Sequence, residues 1–427
     1  MSRPKLTPVF AGLSALLLAA CITPPSSSGS MGQGLIGKLA ITDAKSLLLA
    51  DAPASSYRIA SSNSLKRLYK VDSQGRVTSV EGLYDGGAQY PHQSLFFNYI
   101  ENVNEKFVVV SVPGFGGPSG TYLIRRSDGK AARISDRPYF NYASGGVFFE
   151  GLQATQADDL GQIYYNAEGT LIRLNPPSDE TSVQVAKTEM NRADLERVQS
   201  FAVDRQGNVL AWVTGKTNRL RLYKAGGGFL NLSNLSNAGA IWRNRNSDLF
   251  VGGYSEGISR VSLMPDGTAT ASVIIDMAPK SNTHLASRAE LPDQTVFLGK
   301  SGPPYSPENP APETKPYLFF LKGEETRKVE LLRFKNASRI KASDTHVYLL
   351  EGNRIGRFVV TTESEQDFFN DPNVQILTFD VSPSDKVTIS AIRLSDNTYV
   401  VGELSEDGKL SVLTSEIPPV QQLLTLQ

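Results

Sequence analysis

Short apolar runs separated by polar turns fill most of this chain. The plainest example is Ser200 to Thr214, where two apolar runs flank the polar turn Asp204-Arg205-Gln206-Gly207-Asn208. Such a pattern is typical of a β-hairpin, because successive strand side chains face opposite sides and Gly adopts a positive φ without steric cost. We interpret this stretch as one β-hairpin and as the unit of a repeat.

Looser copies of the hairpin recur along the chain. Residues 65–71 and 76–80 are apolar-rich runs on either side of Asp72-Ser73-Gln74-Gly75. No long amphipathic helical pattern interrupts the series, which argues against a TIM barrel or a Rossmann fold. The pattern therefore predicts an all-β protein. Further turns of this kind are predicted at residues 127–130, 167–170, 265–268, 322–324, 351–353 and 406–409.

The repeat length indicates a β-propeller. The units are about 40 to 55 residues long, which is the range of four-stranded propeller blades. Residues 240–275 show one unit openly, as four apolar runs separated by three turns. We predict eight blades over residues 39–427, with seven blades as the runner-up, and a parallel β-helix or two β-sandwich domains as competing folds. The predicted blades begin near residues 65, 93, 140, 197, 238, 283, 336 and 376.

The two ends of the predicted propeller complement each other. The first unit is short by one or two strands, and the tail 420–426 holds an apolar run that no other unit claims. Pairing of the tail with the first unit would close the ring and remove its open sheet edges. Residues 39–50 fit either a short helix or a strand, since periodicity does not arbitrate over so few positions.

Composition agrees with a folded, turn-rich protein. The 427 residues include 36 Gly and 24 Pro, with 40% hydrophobic and 20% charged residues. Lys plus Arg total 43 and Asp plus Glu total 43, so the chain has no net charge. The chain thus lacks the excess of basic residues that is typical of nucleic-acid-binding proteins, and we predict no nucleic-acid partner.

The first residues have the pattern of a signal peptide. Arg3 and Lys5 precede an apolar run from Val9 to Ala20, which is shorter than the ~20 residues that an α-helix needs to span a bilayer. Leu18-Ala19-Ala20-Cys21 resembles the lipobox of bacterial lipoproteins. The charge and hydropathy pattern predicts a signal peptide over residues 1–20, and the resemblance implies a diacylglycerol on the Cys21 thiol. The Pro- and Ser-rich composition that follows predicts that residues 21–38 are an acylated N-terminus and a flexible linker.

Two further features concern the lipid anchor. Cys21 is the only cysteine, so a disulfide within the chain is excluded. Ile22 occupies the position where an Asp, in Gram-negative lipoproteins, commonly retains the protein at the inner membrane. The resemblance therefore implies a cell-envelope protein held by its N-terminal lipid at the outer membrane of a Gram-negative bacterium.

Few residues suggest catalysis or metal binding. His92, His284 and His346 fall on separate predicted blades without partners at zinc-ligand spacing. No nucleophile elbow, zinc-protease helix or phosphate loop is present. We predict a structural role for each histidine, no cofactor, and a protein that is more readily a binding module than an enzyme.

Carboxylates on inner strands offer the alternative of a Ca²⁺ site in the central channel. Glu150, Asp204 and Asp380 are the candidates, and their competing interpretation is as turn formers or edge residues. Lactonase-type propellers bind Ca²⁺ in this way, but their metal-binding positions do not match this chain.

The most distinctive segment is Ser301 to Tyr317, which carries six prolines and two tyrosines. Proline-rich segments hold extended conformations at low entropic cost, which suits recognition by an aromatic groove. The alternative is a stiff rim insertion between two strands of the sixth blade. The candidate partner-binding residues are Pro303, Pro304, Tyr305, Pro307, Pro310, Pro312, Pro316 and Tyr317.

Asp204 to Val209 and Gly257 to Leu263 resemble blades of NHL-like and sensor-type propellers. In its predicted location and fold the chain is similar to the lipoprotein subunit of the β-barrel assembly machinery, but it lacks that subunit's repeated Trp-containing pattern. These resemblances extend to location and architecture only. Because wide loop-bearing faces on a rigid ring suit partner binding, we predict a protein-binding or scaffolding module whose partner is another envelope protein. The alternatives are a Ca²⁺-dependent lactonase or lyase-like enzyme, and a surface adhesin or glycan binder with Tyr305 and Tyr317 as contacts.

Overall fold

The computed structural model of the protein describes most of the chain between Ile36 and Leu426. The predicted signal peptide and Cys21 lie outside the described residues. The described residues are 36–51, 66–80, 82–85, 99–112, 120–135, 155–167, 169–175, 186–191, 196–216, 218–232, 240–253, 257–264, 268–277, 282–304, 306, 308 and 313–426.

Within these ranges the regular structure consists of 34 β-strands, and no α-helix is present. The first thirteen strands are β1 (Ile36–Leu39), β2 (Ser46–Asp51), β3 (Lys66–Val71), β4 (Val77–Ser79), β5 (Gly82–Asp85), β6 (Tyr99–Asn102), β7 (Phe107–Val112), β8 (Gly120–Arg125), β9 (Lys130–Ser135), β10 (Thr155–Ala157), β11 (Ile163–Ala167), β12 (Thr170–Asn175) and β13 (Ala186–Glu189). The next twelve are β14 (Glu196–Val203), β15 (Val209–Gly215), β16 (Arg219–Tyr223), β17 (Phe229–Leu232), β18 (Ala240–Arg243), β19 (Leu249–Gly253), β20 (Gly257–Leu263), β21 (Ala269–Ile275), β22 (Thr283–Glu290), β23 (Thr295–Ser301), β24 (Lys315–Lys322) and β25 (Glu325–Glu330). The last nine are β26 (Arg339–Ala342), β27 (His346–Glu351), β28 (Arg354–Val359), β29 (Ser364–Asn370), β30 (Val374–Val381), β31 (Val387–Arg393), β32 (Thr398–Leu404), β33 (Leu410–Thr414) and β34 (Val420–Thr425).

The strands form eight antiparallel sheets, which are the blades of an eight-bladed β-propeller. Blade 2 contains β6 to β9, and blades 3 to 8 each contain the next four strands in order, from β10–β13 to β30–β33. Each of the eight units predicted from the sequence corresponds to one blade. The prediction of an all-β propeller with eight blades is confirmed.

Blade 1 is shared between the two ends of the described chain. Its sheet has the order β34-β2-β3-β4, so the C-terminal strand lies innermost beside a strand from the N-terminal side. Leu423 faces Leu48 in this pairing. The Gln422 side chain extends the closure into blade 2, because its Nε2 donates to the Ile100 carbonyl at 2.6 Å. The tail therefore completes the first unit, as its apolar run predicts.

Blade 2 carries two additional strands on its outer side. The sheet order is β5-β1-β9-β8-β7-β6, so β1 pairs with both β9 and β5. The stretch that periodicity left undecided, residues 39–50, ends in a strand, β2. The reason for the ambiguity is visible: Leu47 and Leu49 pack toward blade 2, while Leu48 and Ala50 pack toward blade 8. Both faces of the strand are covered, so its sequence shows no apolar–polar alternation.

The hydrophobic core is divided among the interfaces between neighbouring blades. Eight clusters of buried side chains each join two adjacent blades, including the interface between blades 8 and 1. Between blades 5 and 6, Trp242 stacks on Phe250 at 5.5 Å and meets the Phe297 ring edge at 5.8 Å. Burying one such ring contributes roughly 1.5–3 kcal/mol. The ring is therefore closed by eight apolar interfaces of the same kind.

Candidate functional site

Those predicted site residues that the structure describes do not converge on one place. His284 is an exposed residue of β22, while His346 begins β27 in the next blade. Asp204 and Asp380 belong to blades 4 and 8. The predicted site residues that lie outside the described residues are Cys21, His92, Glu150, Tyr305, Pro307, Pro310 and Pro312.

The proline-rich segment connects β23 to β24 in blade 6. Pro303 and Pro304 are exposed. Pro316 and Tyr317 instead belong to β24, where they pair with β23. Lys328 Nζ lies 4.7 Å from the centre of the half-buried Tyr317 ring. Among the described residues of this segment, the exposed prolines are thus the ones accessible to a partner.

Asp204 shapes a turn. Its Oδ1 accepts a hydrogen bond from the Asn208 amide at 2.8 Å, and its Oδ2 accepts one from Asn208 Nδ2 at 2.7 Å. Gly207, the fourth residue of the turn, has a φ of +84°. A three-residue hairpin loop whose last residue is left-handed has this geometry. Both carboxylate oxygens of Asp204 are thus engaged within the turn.

The same five-residue turn recurs around the ring. In every copy the side-chain oxygen of the first residue accepts a hydrogen bond from the amide of the fifth, at 2.8 to 3.1 Å. Asp, Asn and Ser all supply that oxygen, which is why these residues also favour turns in sequence. The copies are residues 72–76, 158–162, 204–208, 244–248, 382–386 and 405–409.

Asp380 lies on β30, the innermost strand of blade 8, and joins its two neighbouring blades. Its Oδ2 accepts a hydrogen bond from the Thr425 amide of blade 1 at 2.9 Å. Its Oδ1 lies 3.4 Å from Lys341 Nζ of blade 7. Both oxygens of Asp380 therefore have partners within the ring.

Polar side chains also form hydrogen bonds with backbone groups at the unpaired edges of other innermost strands. Such a strand has a neighbour on one side only, so its other backbone groups need partners. A side chain from the preceding blade supplies them at several interfaces. The contacts are Glu101 Oε2 with the Thr155 amide at 3.0 Å, Gln156 with the Phe201 carbonyl and the Val203 amide, both at 3.0 Å, and Ser287 Oγ with the Ile340 amide at 3.1 Å.

The turns that join the first and second strands of the blades lie on one face of the ring, which we call the a–b face. Polar contacts connect these turns in blades 3, 4, 5, 7 and 8. Asp159 and Arg205 lie 3.8 Å apart, and Arg205 Nη2 donates to the Arg245 carbonyl at 2.8 Å. Arg245 Nη1 then donates to Asp344 Oδ1 at 2.7 Å, and the Asp344 amide donates to the Pro383 carbonyl at 3.1 Å. These contacts hold exposed charged groups in fixed positions.

Arg243, at the end of innermost strand β18, is a third arginine of this region. Its Nη1 donates to the Ala157 carbonyl of blade 3 at 3.2 Å, so the side chain passes blade 4 on its inner side. Within the described part of the chain, Arg243 has no carboxylate within 4.0 Å and no other hydrogen bond. Burial lowers its pKa, with the charge of Arg205 adding to this effect and those of Asp159, Asp204 and Asp158 opposing it.

Glu290 ends innermost strand β22 in blade 6. Thr295 Oγ1 donates to its Oε2 at 2.8 Å, while its buried Oε1 accepts no hydrogen bond and lies 3.4 Å from Arg288 Nε. Burial raises the pKa of Glu290 to about 7, although Arg288, Thr295 and Arg245 act in the opposite direction. This carboxyl group therefore exchanges its proton near neutral pH.

Blades 7 and 8 meet at a cluster around Asp385. Its carboxylate accepts hydrogen bonds from Thr345 Oγ1 at 2.9 Å and Tyr348 OH at 3.1 Å, and lies 3.0 Å from His346 Nδ1. Burial disfavours the charged carboxylate, but hydrogen bonds from Ser343, Thr345 and His346 outweigh it and lower the pKa of Asp385. His346 thus has a role between blades, in keeping with the prediction of a structural histidine.

Asp385 also occupies an unusual backbone position. It is the fourth residue of the turn 382–386 and has a φ of +62°, where four of the other five copies carry glycine and the copy 244–248 carries Ser247. A non-glycine residue there costs roughly 1–2 kcal/mol. The sequence signal that could have marked this residue is the replacement of the turn glycine by a charged residue.

Two features are absent from the described residues. No three His, Cys, Asp or Glu side chains in those ranges lie close enough together to hold a metal ion. The same ranges contain no helix with the length and apolar character required to span a membrane.

Comparison with known proteins finds distant structural similarity only. No protein-family model and no curated protein sequence matches this chain. The β-propeller domain of the Trilobed protease from Pyrococcus furiosus is 11% identical, covering 76% of this chain and 97% of its own length with a TM-score of 0.41. The Pan2 WD40 domain from Neurospora crassa is 13% identical, with coverages of 72% and 88% and a TM-score of 0.40. A gluconolactonase from Xanthomonas campestris, XC5397, is 14% identical, with coverages of 52% and 75% and a TM-score of 0.30.

Proposed function

We propose that the protein is a lipid-anchored binding or scaffolding module of the bacterial cell envelope, and that its partner docks on the a–b face. The observation that supports this function is the continuous series of contacts from Asp159 to Pro383, which orders exposed charged groups before any partner arrives. Groups that are already ordered lose less conformational entropy on binding. The anchor rests on the lipobox-like sequence that ends at Cys21.

The chemistry of the a–b face suits a polar protein partner. Arg205 and Asp159 have about half or more of their side-chain surface exposed, at 51% and 63%. Leu160, beside Asp159, is 72% exposed. Charged groups of both signs around an apolar residue favour a partner with complementary charges, because such arrangements reject partners whose like charges would face each other.

Site-specific photo-crosslinking in intact cells tests this function. A photoreactive residue at Leu160 samples the a–b face, one at Pro304 samples the proline-rich segment on the opposite face, and one at Val412 samples the outer edge of blade 8. We expect Leu160 to capture one defined envelope protein and Val412 to capture none. Capture at Pro304 alone would assign the interaction to the proline-rich segment and reject the a–b face. Absence of capture at both sites would reject the binding module.

A further inference from the structure

Arg243 differs from the other arginines of the a–b face. Arg205, Arg245 and Arg288 each lie within 4.0 Å of a carboxylate oxygen, from Asp159, Asp344 and Glu290 respectively. Arg243 has no such partner within the described part of the chain, although its surroundings are desolvated enough to lower its pKa. The charges of Asp159, Asp204 and Asp158 offset part of the cost of removing this cation from water, but none of these carboxylates pairs with it directly.

The remaining donors of Arg243 are available to a ligand. Nη1 is engaged by the Ala157 carbonyl at 3.2 Å, which directs the guanidinium group along the inner side of blade 4. Nε and Nη2 have no partner within the described ranges, and neither belongs to the fully buried atoms that lack one. A planar guanidinium group presents paired N–H donors that match two oxygens of a carboxylate or a phosphate.

Charged groups of both signs surround Arg243. The charge of Arg205 acts directly on Arg243. Arg245 is two residues from Arg243 in the chain, and its guanidinium reaches blade 7, while that of Arg243 reaches blade 3. The charges of Asp158, Asp159 and Asp204 act in the opposite direction to that of Arg205. The carboxylates of Asp158 and Asp204 accept hydrogen bonds within their own blades, and Asp159 pairs with Arg205.

We propose that Arg243 is the anchor of a binding site for a small oxyanion, a carboxylate or a phosphate group, where the a–b face meets the central channel. The ligand would supply the directly paired oxygen atoms that Arg243 lacks, because it would accept hydrogen bonds from Nε and Nη2. This site goes beyond the proposed partner binding, since it takes a small molecule and involves the channel wall. The test below uses no partner, so its failure would leave the proposed function untouched.

Calorimetric titration of the purified full-length protein tests the site, with inorganic phosphate and citrate as separate probes at constant ionic strength. We expect wild-type protein to bind at least one probe, and Arg243→Gln to weaken that binding about tenfold or more, because charged hydrogen bonds are lost. Preference for one probe would identify the oxyanion. Arg393→Gln is the matched control, because Arg393 pairs with Asp396 in blade 8 at the opposite face.

Arg243→Lys provides a second variant that keeps the charge but loses the two-pronged donor geometry. It should bind more weakly than wild type and more tightly than Arg243→Gln, and circular dichroism should show all variants folded. If Arg243→Gln does not fold, the proposal is tested by comparing the probe affinities of Arg243→Lys and wild type. Lack of binding of both probes to wild-type protein, or equal binding by wild type and the Arg243 variants, would overturn the proposal.

Discussion

Gly207 illustrates how one residue of the recurring turn also determines the fit between blades. A Cβ atom at Gly207 would lie 2.8 Å from both Asp158 Oδ2 and Tyr164 OH of blade 3. Gly227 also has a positive φ, +98°, but a Cβ atom there would meet nothing within 4 Å. A comparison of substitutions at these two glycines therefore distinguishes the cost of backbone strain from the cost of a steric clash.

Replacement of each glycine by alanine should reveal this difference. Both variants should lose about 1 kcal/mol of unfolding free energy through left-handed backbone strain. Gly207→Ala should lose a further ~1–3 kcal/mol because the interface between blades 3 and 4 must shift. Denaturant unfolding followed by intrinsic fluorescence gives both values. Equal losses would show that the turn does not contribute to the interface.

Ser247 and Asp385 hold the same left-handed position as those glycines, for different reasons. Ser247 Oγ is buried without a hydrogen-bond partner, whereas Asp385 accepts hydrogen bonds from Thr345 and Tyr348. We expect Ser247→Gly to stabilise the protein by about 1 kcal/mol. Asp385→Gly should destabilise it by ~1–3 kcal/mol despite the relief of strain, because its donors lose their acceptor. Thermal unfolding measures both, and a gain for Asp385→Gly would contradict the proposed contact between blades.

The carboxyl group of Glu290 makes stability depend on pH. Its pKa is about 7 in the folded protein and 4.5 in its unperturbed state, so the folded protein binds the proton more tightly between these values. Stability should therefore fall as pH rises from about 4.5 through 7. In Glu290→Gln this component should disappear. If the unfolding free energies of wild type and variant instead change in parallel across this pH range, Glu290 is ionised throughout the range and its pKa is not raised.

At the scale of elements, the sequence predicts strands best where one face of the strand is polar. Residues 200–214 alternate around a clear turn, and they form β14 and β15 as expected. Residues 47–50 lie between two blades, so their leucines carry no periodicity and the strand could not be distinguished from a helix. The turns could be predicted from sequence because they are stabilised locally: Asp204 accepts a hydrogen bond from the Asn208 amide within its own turn.

The candidate site was much less predictable. Arg243 and Glu290 stand out only through contacts between distant segments, such as the bond from Arg243 to the Ala157 carbonyl. Nothing in the neighbouring sequence distinguishes Arg243 from the paired Arg245. The proline-rich segment was conspicuous in sequence, yet Pro316 and Tyr317 are strand residues. Sequence composition marks such a segment, whereas burial and pairing decide which of its residues are accessible.

Removal of residues 420–427 tests the closure of blade 1 by strand β34. The buried edge of β2 and the interface with blade 2 would be exposed, since Leu47, Leu48 and Leu49 are completely buried. We expect the truncated protein to aggregate and to lose cooperative unfolding. A synthetic peptide of residues 418–427 should restore solubility by adding the missing strand. Cooperative unfolding of the truncated protein at the wild-type midpoint would show that β34 is dispensable.

At the scale of the whole molecule, the number of blades was predictable because each blade repeats a turn and strand pattern of similar length. The location in the cell depends on the lipobox-like sequence. We expect Cys21→Ser to move the protein from the membrane fraction to the soluble fraction, because acyl chains contribute ~0.8 kcal/mol per buried methylene. Cys21→Ala is the matched second variant. Fractionation and immunoblotting measure the shift, and membrane retention of both variants would contradict the lipid anchor.

The central claim is that the ordered charges of the a–b face recognise a partner. Exchange of one ion pair, by combining Arg245→Asp with Asp344→Arg, tests it most directly. The exchange keeps an ion pair across the same gap but reverses the charges that a partner meets, and exposed pairs contribute only ~0–1 kcal/mol to stability.

The yield of the Leu160 crosslink in intact cells is the measurement. We predict that the exchanged variant has wild-type thermal stability and a crosslink yield reduced about tenfold, because like charges then face each other across the interface. A variant that is equally stable and captures its partner at the wild-type yield would contradict recognition by this face.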